Sequence, residues 1–325
     1  MSQRKKPQYK RQPGLGPVAG LVLLIALFLL SSYLKNAEPA GMGESGAQGA
    51  TSAAPLPEDG PPMQVHYIDV GQGDSQLARI PDEGSQDGYF NMLIDTGEYE
   101  YADRLTDYLR DLGVGCIDAL VCSHPHTDHM GCMARIVQRF EIGAFYMPQL
   151  PEDQAPTTVA YEKLLDAVLD KGLTVTPLHE DAVIQVPAGA RVQVMSPRED
   201  ADWDGANNYS AVIRLAWGDA SFLFTGDAEE DSEEIILADG YNPQADVLKC
   251  GHHGSSSSTS PEFLAAVDPL YAVISCGAGN RYGHPHHETL EALDAAGVIT
   301  YRTDQDGTIL AETTGGAITF TPGGG

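Results

Sequence analysis

The densest set of side chains that could do chemistry lies in residues 123–129, Ser-His-Pro-His-Thr-Asp-His. Four potential metal ligands fall within six residues: His124, His126, Asp128 and His129. Ligands two residues apart in an extended loop point the same way, so the first two histidines can reach one ion. The Asp-His pair that opens the next helix can reach a second spot nearby. Imidazole and carboxylate together suit zinc, manganese or iron better than calcium or magnesium, so the spacing predicts a metal site rather than a polar loop with chance histidines.

The surrounding elements predict how this stretch is positioned. Apolar patterns indicate strands over 64–70, 76–80, 91–97, 117–122, 173–177, 182–186, 191–195, 211–215, 221–227, 246–250 and 271–275. They indicate helices over 99–112, 130–140, 159–169, 229–238 and 288–296, with two strands closing the chain. Several strands end in Asp or His. We therefore expect a layered sheet-and-helix domain with a site along one edge.

The amino terminus has the composition of a membrane anchor. Basic residues crowd the first 11 positions, and no charged residue occurs from Gln12 to Leu34. This predicts a cytoplasmic tail over 1–16 and a membrane-spanning signal anchor over 17–34, because a bilayer core needs about 20 apolar residues in a helix. Residues 35–62, rich in Ala, Gly, Pro, Ser and Glu, are expected to form a flexible linker. The prediction is a single-pass protein of the cell membrane with a folded domain, 63–325, outside; secretion after signal-peptide cleavage is the alternative.

The predicted domain is strongly acidic. Residues 63–325 contain 13 Lys plus Arg against 42 Asp plus Glu, a formal charge of −29. Such a surface repels polyanions unless metals or a local basic patch intervene. Tight nonspecific DNA binding by this domain alone is therefore disfavoured.

Six ordered motifs resemble the metallo-β-lactamase superfamily, and in particular the hydrolase domain of competence-type DNA-uptake channel proteins (ComEC-like). They lie at 68–75 (Ile-Asp-Val-Gly-Gln-Gly-Asp-Ser), 93–97 (Leu-Ile-Asp-Thr-Gly), 123–129, 223–227 (Leu-Phe-Thr-Gly-Asp), 248–255 (Leu-Lys-Cys-Gly-His-His-Gly-Ser) and 281–285 (Arg-Tyr-Gly-His-Pro). The resemblance covers nearly all of the predicted domain. It implies a four-layer αββα sandwich with two divalent metal ions, zinc or manganese, at one rim.

The resemblance also implies roles for individual residues. His124 and His126 would hold the first metal. Asp128, His129 and one of His252 and His253, with a lean to His253, would hold the second, and Asp227 would bridge both. Asp95 would orient the loop of residues 123–129, called the ligand loop below. Asp69 would either be a similar outer carboxylate or have a structural role. Asp128 and His284 are the predicted catalytic residues, and His284, Lys249 and Asn208 the predicted substrate contacts, although Lys249 could equally form an ion pair.

One position departs from the superfamily pattern. Many members place a histidine between the second ligand group and the bridging aspartate, but residues 207–210 here are Asn-Asn-Tyr-Ser. Competence-type relatives share this asparagine-rich pattern, so the departure does not itself imply inactivity. It predicts a first metal site that is weaker, that uses Asn or water in place of the missing histidine, or that is empty in the purified protein.

The chemistry implied is hydrolysis, because paired divalent metals lower the pKa of water and neutralise charge on a phosphoryl group. The first hypothesis is a membrane-anchored phosphodiesterase, with single-stranded DNA as a candidate substrate. The second keeps the metals but changes the substrate to a choline-phosphate ester, a lactone or a β-lactam. The third is a non-catalytic tethered binding module. The sequence leaves protein partners open.

Overall fold

The computed structural model describes residues 60–323. The predicted cytoplasmic tail, the anchor and nearly all of the linker lie outside these residues. Within them, no helix combines the length and apolar character needed to cross a bilayer.

Fourteen strands and eight α-helices make up the described chain. The strands are β1 Met63–Tyr67, β2 Gln76–Pro81, β3 Tyr89–Ile94, β4 Cys116–Val121, β5 Glu141–Pro148, β6 Val175–Leu178, β7 Ala190–Ser196, β8 Val212–Trp217, β9 Ala220–Phe224, β10 Val247–Lys249, β11 Tyr271–Ile274, β12 Ile299–Arg302, β13 Ile309–Thr313 and β14 Ile318–Pro322. The helices are α1 Ala102–Asp111, α2 Thr127–Met130, α3 Met133–Arg139, α4 Val159–Asp170, α5 Glu230–Ala238, α6 Pro261–Val267, α7 His287–Ala295 and α8 Thr303–Asp306. Short 3₁₀ turns occur at Tyr99–Tyr101, Asn207–Tyr209 and Gly251–Gly254.

The strands form two mixed sheets. The first has the order β14-β13-β1-β2-β3-β4-β5-β6, and the second has the order β12-β11-β10-β9-β8-β7. Strands β3 to β6 run parallel to one another, as do β9 to β12. Strand β9 is buried at all five positions, as expected for a central strand covered on both faces.

Three hydrophobic clusters define four layers. The central cluster joins the facing sides of the two sheets, for example Tyr67 with Phe222 and Phe224. A second cluster packs α1, α3 and α4 against the outer face of the first sheet, and a third packs α5, α6 and α7 against the second sheet. The predicted sandwich of two sheets between helices is thus the observed architecture.

Some predicted elements differ from the structure. The predicted strand over 182–186 does not form, because this segment packs Ile184 into the core without pairing to a described strand. The predicted helix over 130–140 is divided into α2 and α3. Helix α6 was not predicted, and three strands rather than two close the chain.

Parallel strands explain where the candidate site lies. In a parallel sheet the carboxyl ends of the strands share one edge, and the loops leaving that edge meet. Asp95 follows β3 and the 123–129 loop follows β4, which is paired with β3 through Ile94 and Val121. In the second sheet, Asp227 follows β9 and residues 251–254 follow β10. The Ala211 amide donates to the Ser123 carbonyl (2.9 Å), which links a second-sheet segment to the ligand loop.

Candidate metal centre and its cavity

Two groups of metal-binding side chains meet at this edge and share one aspartate. The first group is His124, His126 and Asp227, and the second is Asp128, His129, Asp227 and His253. Within each group the ligand atoms lie within 4.8 Å of one another. The two Asp227 oxygens divide between the groups: Oδ1 is 3.1 Å from His129 Nε2, and Oδ2 is 3.8 Å from His124 Nε2. The geometry therefore suits a carboxylate shared by two ions.

Buried polar atoms in the second group lack proper partners. Nε2 of His129, Nε2 of His253 and Oδ1 of Asp227 make no well-formed hydrogen bond within residues 60–323, although Asp227 Oδ1 lies 3.1 Å from the first nitrogen and 3.6 Å from the second. Buried polar atoms are normally satisfied, so such a convergence needs an explanation. Imidazole nitrogens and carboxylate oxygens are a donor set for divalent transition metals. The residues present therefore fit a pair of divalent cations.

The electrostatics of the centre favour cations. Burial alone would lower the pKa of His129, but the carboxylates of Asp227 and Asp95 raise the pKa of its imidazole well above the usual value. Burial would raise the pKa of Asp227, yet the surrounding imidazoles lower it well below the usual value. A centre that draws protons onto imidazoles also draws metal ions, which compete for the same lone pairs.

Asp95 lies behind the ligand loop, as the resemblance implied. The His129 Nδ1–H donates to Asp95 Oδ2 at 2.8 Å, which leaves Nε2 directed towards Asp227. The Ser123 amide and hydroxyl also donate to this carboxylate, at 2.7 and 2.6 Å. Asp95 is fully buried and thus fixes both the ring orientation and the start of the loop.

Asp74 was not singled out from the sequence, yet it lies directly behind the centre. It is fully buried, forms an ion pair with Lys249, and has its carboxylate 3.4 Å from His253 Nδ1. The same His253 nitrogen lies 3.0 Å from the Ser275 carbonyl oxygen, to which it can donate. The sequence contained a signal, because a lysine inside the apolar β10 needs a buried counter-charge. The GQGD turn at residues 71–74 supplies it.

Three predicted residues make other contacts in the structure: the prediction for Asn208 is wrong, whereas Lys249 and Asp69 take the ion-pair and structural alternatives that the sequence left open. Lys249 is fully buried with Asp74, so it cannot touch a substrate. Asn208 is buried, and its Oδ1 accepts from the Glu229 and Ser232 amides at the start of α5, so it caps a helix. Its neighbour Asn207 faces the cavity instead.

For Asp69 the structural alternative is the one observed. Its carboxylate accepts from the Gly71 amide at 3.0 Å and from Arg104 Nη2 at 2.9 Å. It contacts none of the ligands, so its role is to shape the glycine turn.

Several of the predicted residues line a cavity of about 380 Å³ beside the centre. It is lined by Gln72, Glu98, His126, Thr127, Asp128, Asn207, Asp227, His252, His253, Arg281, Tyr282 and His284. His252 is one-quarter exposed, and its Nδ1 lies 3.0 Å from Glu229 Oε1. His253 is buried among the ligand atoms, whereas His252 is more exposed and its Nε2 lies 3.8 Å from Asp227 Oδ2; both histidines line the cavity.

The turn that carries His252 and His253 has an unusual backbone conformation. Both have left-handed φ values, 46° and 56°, which non-glycine residues adopt at a cost of about 1–3 kcal/mol each. The His252 amide donates to the Gly226 carbonyl at 3.1 Å, which holds this turn against the loop that carries Asp227. Backbone strain of this kind concentrates at functional sites.

Two stacked sheets enclosed by helices, with a His- and Asp-rich centre where the parallel strands end, define the metallo-β-lactamase class of α/β proteins. The chain belongs to the metallo-β-lactamase superfamily, whose family model matches residues 86–278.

Curated relatives refine this assignment. The chain is similar to ComE operon protein 3 of Bacillus subtilis (32% identity over 266 residues, 76% of this chain and 32% of that protein). It is also similar to competence protein ComA of Neisseria gonorrhoeae (32% over 247 residues, 75% and 31%). A third relative is recombination protein 2 of Haemophilus influenzae (30% over 238 residues, 72% and 26%). The chain thus spans about a third or less of these relatives, and the predicted resemblance to ComEC-like competence proteins is confirmed.

Proposed function

We propose that this protein is a metal-dependent phosphodiesterase that hydrolyses phosphodiester bonds, including those of single-stranded DNA. The observation that carries the proposal is the pair of ligand groups sharing Asp227 at the floor of an open cavity. Two divalent ions, zinc or manganese, would supply an activated water and neutralise charge on a phosphoryl group. The names of the competence relatives support a polymeric phosphodiester substrate.

The ligands divide between the two ions by position. His124 and His126 with Asp227 would hold one ion, and Asp128, His129 and His253 with Asp227 the other. The Asp128 carboxylate lines the cavity. Burial alone would raise its pKa, but its contact with His253 outweighs burial and lowers the pKa, so the carboxylate is ionised at pH 7. It can therefore bind an ion and accept a hydrogen bond from water in the cavity.

His284 is proposed to contact the phosphate. Burial and the neighbouring histidines lower the pKa of His284 to about 4, so its ring is neutral at pH 7. A neutral imidazole carries one N–H, which can donate to a phosphate oxygen without adding charge. His252, 5.3 Å from His284 between ring centroids, stands on the same wall.

The protein is also proposed to act at the outer face of the cell membrane. Residues 17–34 are proposed to anchor it in the cell membrane, with residues 63–325 as the hydrolase domain outside. Protease added to intact cells should then release the domain by cutting within residues 36–62. Complete protection in cells with an intact membrane would contradict the outside location.

The activity is tested with bis-p-nitrophenyl phosphate and single-stranded DNA, each with zinc or manganese. Asp227→Ala removes the shared ligand, so we expect loss of most bound metal and of cleavage of both substrates. Asp219→Ala, which changes an exposed carboxylate at the other end of β9, should leave both unchanged. A choline-phosphate ester, a lactone and a β-lactam complete the panel. Turnover of one of these without phosphodiester cleavage would contradict the proposal, and metal binding without any turnover would favour a binding module.

A further inference from the structure

A tight turn over residues 277–284 carries an aromatic side chain into the cavity wall. The Asn280 side chain holds this turn from inside. Its Nδ2 donates to the carbonyls of Gly277 (2.9 Å) and His284 (2.6 Å), and its Oδ1 accepts from the amides of Tyr282 (3.1 Å) and His284 (3.0 Å). Four hydrogen bonds to one side chain fix the positions of residues 282 and 284 before any ligand arrives.

Tyr282 presents its ring beside the proposed phosphate contact. Its side chain lines the cavity and is 49% exposed. Its ring lies nearly parallel to His284, with centroids 5.6 Å apart and planes at 21°. The Tyr282 ring is thus held next to His284, the residue proposed to bind phosphate. A base attached to that phosphate would lie at this position.

The cavity has few basic side chains, so affinity for a nucleic acid must come from contacts that need no positive charge. Among the lining residues described, Arg281 is the single Lys or Arg side chain, and residues 63–325 carry a formal charge of −29. Nucleic-acid affinity normally rests on many phosphate contacts to Lys and Arg, and this cavity cannot provide them. Stacking of bases on aromatic rings needs no positive charge, and it supplies affinity for single strands.

We propose that Tyr282, together with Arg281, is a stacking platform for an unpaired nucleobase next to the scissile phosphate. This inference rests on the proposed phosphodiesterase function and specifies its substrate class as single-stranded nucleic acid. Bases within a duplex are already stacked and paired, so they cannot reach the platform without being unstacked. The platform therefore selects single strands over duplexes.

Arg281 covers part of the ring in the free protein without blocking it. Its guanidinium carbon lies 4.8 Å from the Tyr282 ring centroid, and its Nη2 donates to the hydroxyl at 2.6 Å. Both residues are exposed, and an exposed cation–π contact corresponds to about a 2- to 5-fold factor in affinity. Base stacking corresponds to about 5- to 150-fold, so a base displaces the guanidinium or stacks on its outer face.

The experiment compares two single-stranded oligomers of equal length, oligothymidylate and an abasic oligomer that has the same backbone without bases. Fluorescence anisotropy and cleavage are measured with the zinc- or manganese-loaded full chain. Tyr282→Leu should weaken binding of oligothymidylate, and lower its kcat/KM, by about 5- to 150-fold. It should change the abasic oligomer less than 2-fold, and Tyr282→Phe should retain the base preference, because the ring face remains.

Tyr99 offers a matched control. It is 52% exposed, Arg135 lies 4.4 Å from its ring centroid and donates to its hydroxyl at 2.6 Å, but it does not line the cavity. Tyr99→Leu should leave both oligomers unaffected. Equal losses on the two oligomers in Tyr282→Leu, or no loss on either, would overturn the platform. Hydrolysis of bis-p-nitrophenyl phosphate by wild type reports separately on the proposed function, and the anisotropy data test the platform even without cleavage.

Discussion

The buried Asp95 carboxylate orients the predicted metal ligand His129 without binding the metal itself. We expect Asp95→Asn to weaken metal binding by about 10–100-fold, because the amide keeps the shape but loses the charge that orients and polarises His129. Competition with a chromophoric zinc chelator measures this affinity. Asp69→Asn is the control, since Asp69 contacts Gly71 and Arg104 rather than a ligand. Equal affinities for the two variants would show that Asp95 does not orient the centre.

The Asp74–Lys249 pair leads to a prediction about stability. Both side chains are fully buried, so removing either charge leaves the other uncompensated. We expect Asp74→Asn and Lys249→Met each to lower the free energy of unfolding by about 3–5 kcal/mol in urea titrations. The double variant should lose less than the sum, because no charge is then left alone.

An exposed ion pair provides the comparison. Arg198 and Asp200 lie 2.6 Å apart at the surface, where water and salt screen the charges, so breaking this pair should cost little stability. Similar losses for Asp200→Asn and Asp74→Asn would argue against a special role for burial.

At the residue scale, the sequence predicts ligands better than contacts. His124, His126, Asp128 and His129 could be proposed together because their types and spacing are local properties of one loop. Asn207 and Asn208 are also neighbours, but which of them faces the cavity depends on a 3₁₀ turn packed against α5. Such a direction is set by tertiary packing and leaves no periodic trace in the sequence.

At the scale of elements, the turn between β1 and β2 is built against the ligand loop. Gly73 has φ +150°, and a Cβ atom there would come closer than 3.0 Å to the Asp128 carbonyl oxygen, which accepts from the Asp74 amide at 3.1 Å. We expect Gly73→Ala to displace Asp128 and weaken metal binding by about 10-fold or more in the same chelator competition. Gly113→Ala isolates the backbone effect, because Gly113 has φ +79° but open space around its Cα. It should reduce stability slightly and leave metal binding unchanged.

Most elements could be predicted because their patterns are strong. The strands that carry Asp95, Asp227 and His253 at their ends are apolar runs bounded by glycine turns. The failure over residues 182–186 has a physical reason: Ile184 is buried between the exposed residues Val183 and Gln185 as in a strand, but pairing depends on a partner distant in sequence. Hydrophobic periodicity reports burial, and it cannot report whether a partner strand is within reach.

At the scale of the whole molecule, a histidine remote from the centre makes stability depend on pH. His66 on β1 is buried, with Nδ1 2.8 Å from the Tyr108 hydroxyl, and burial lowers its pKa to about 3. The unfolded chain, with a pKa of about 6.5, binds the proton that the folded chain excludes between these values. This contribution is therefore complete above pH 6.5 and is lost as pH falls, by about 2 kcal/mol at pH 5.

Urea unfolding at pH 7 and pH 5 tests this effect. His66→Gln cannot titrate, so its loss of stability between the two pH values should be about 2 kcal/mol smaller than that of wild type. An identical loss in both proteins would show that His66 does not supply the pH dependence.

The division of ligands between the two sheets has a mechanical consequence. His124, His126, Asp128 and His129 leave the first sheet, whereas Asp227 and His253 leave the second. Any ion bound by both sets would link the two sheets of the sandwich to each other. A free-ion concentration of about 1,000 times the dissociation constant would stabilise the folded state by about 4 kcal/mol. Chelation should therefore raise amide hydrogen exchange in residues 122–131, 225–228 and 250–255, while β4 and β9 exchange as before. Unchanged exchange in these loops would mean that the sheets are held together without the ions.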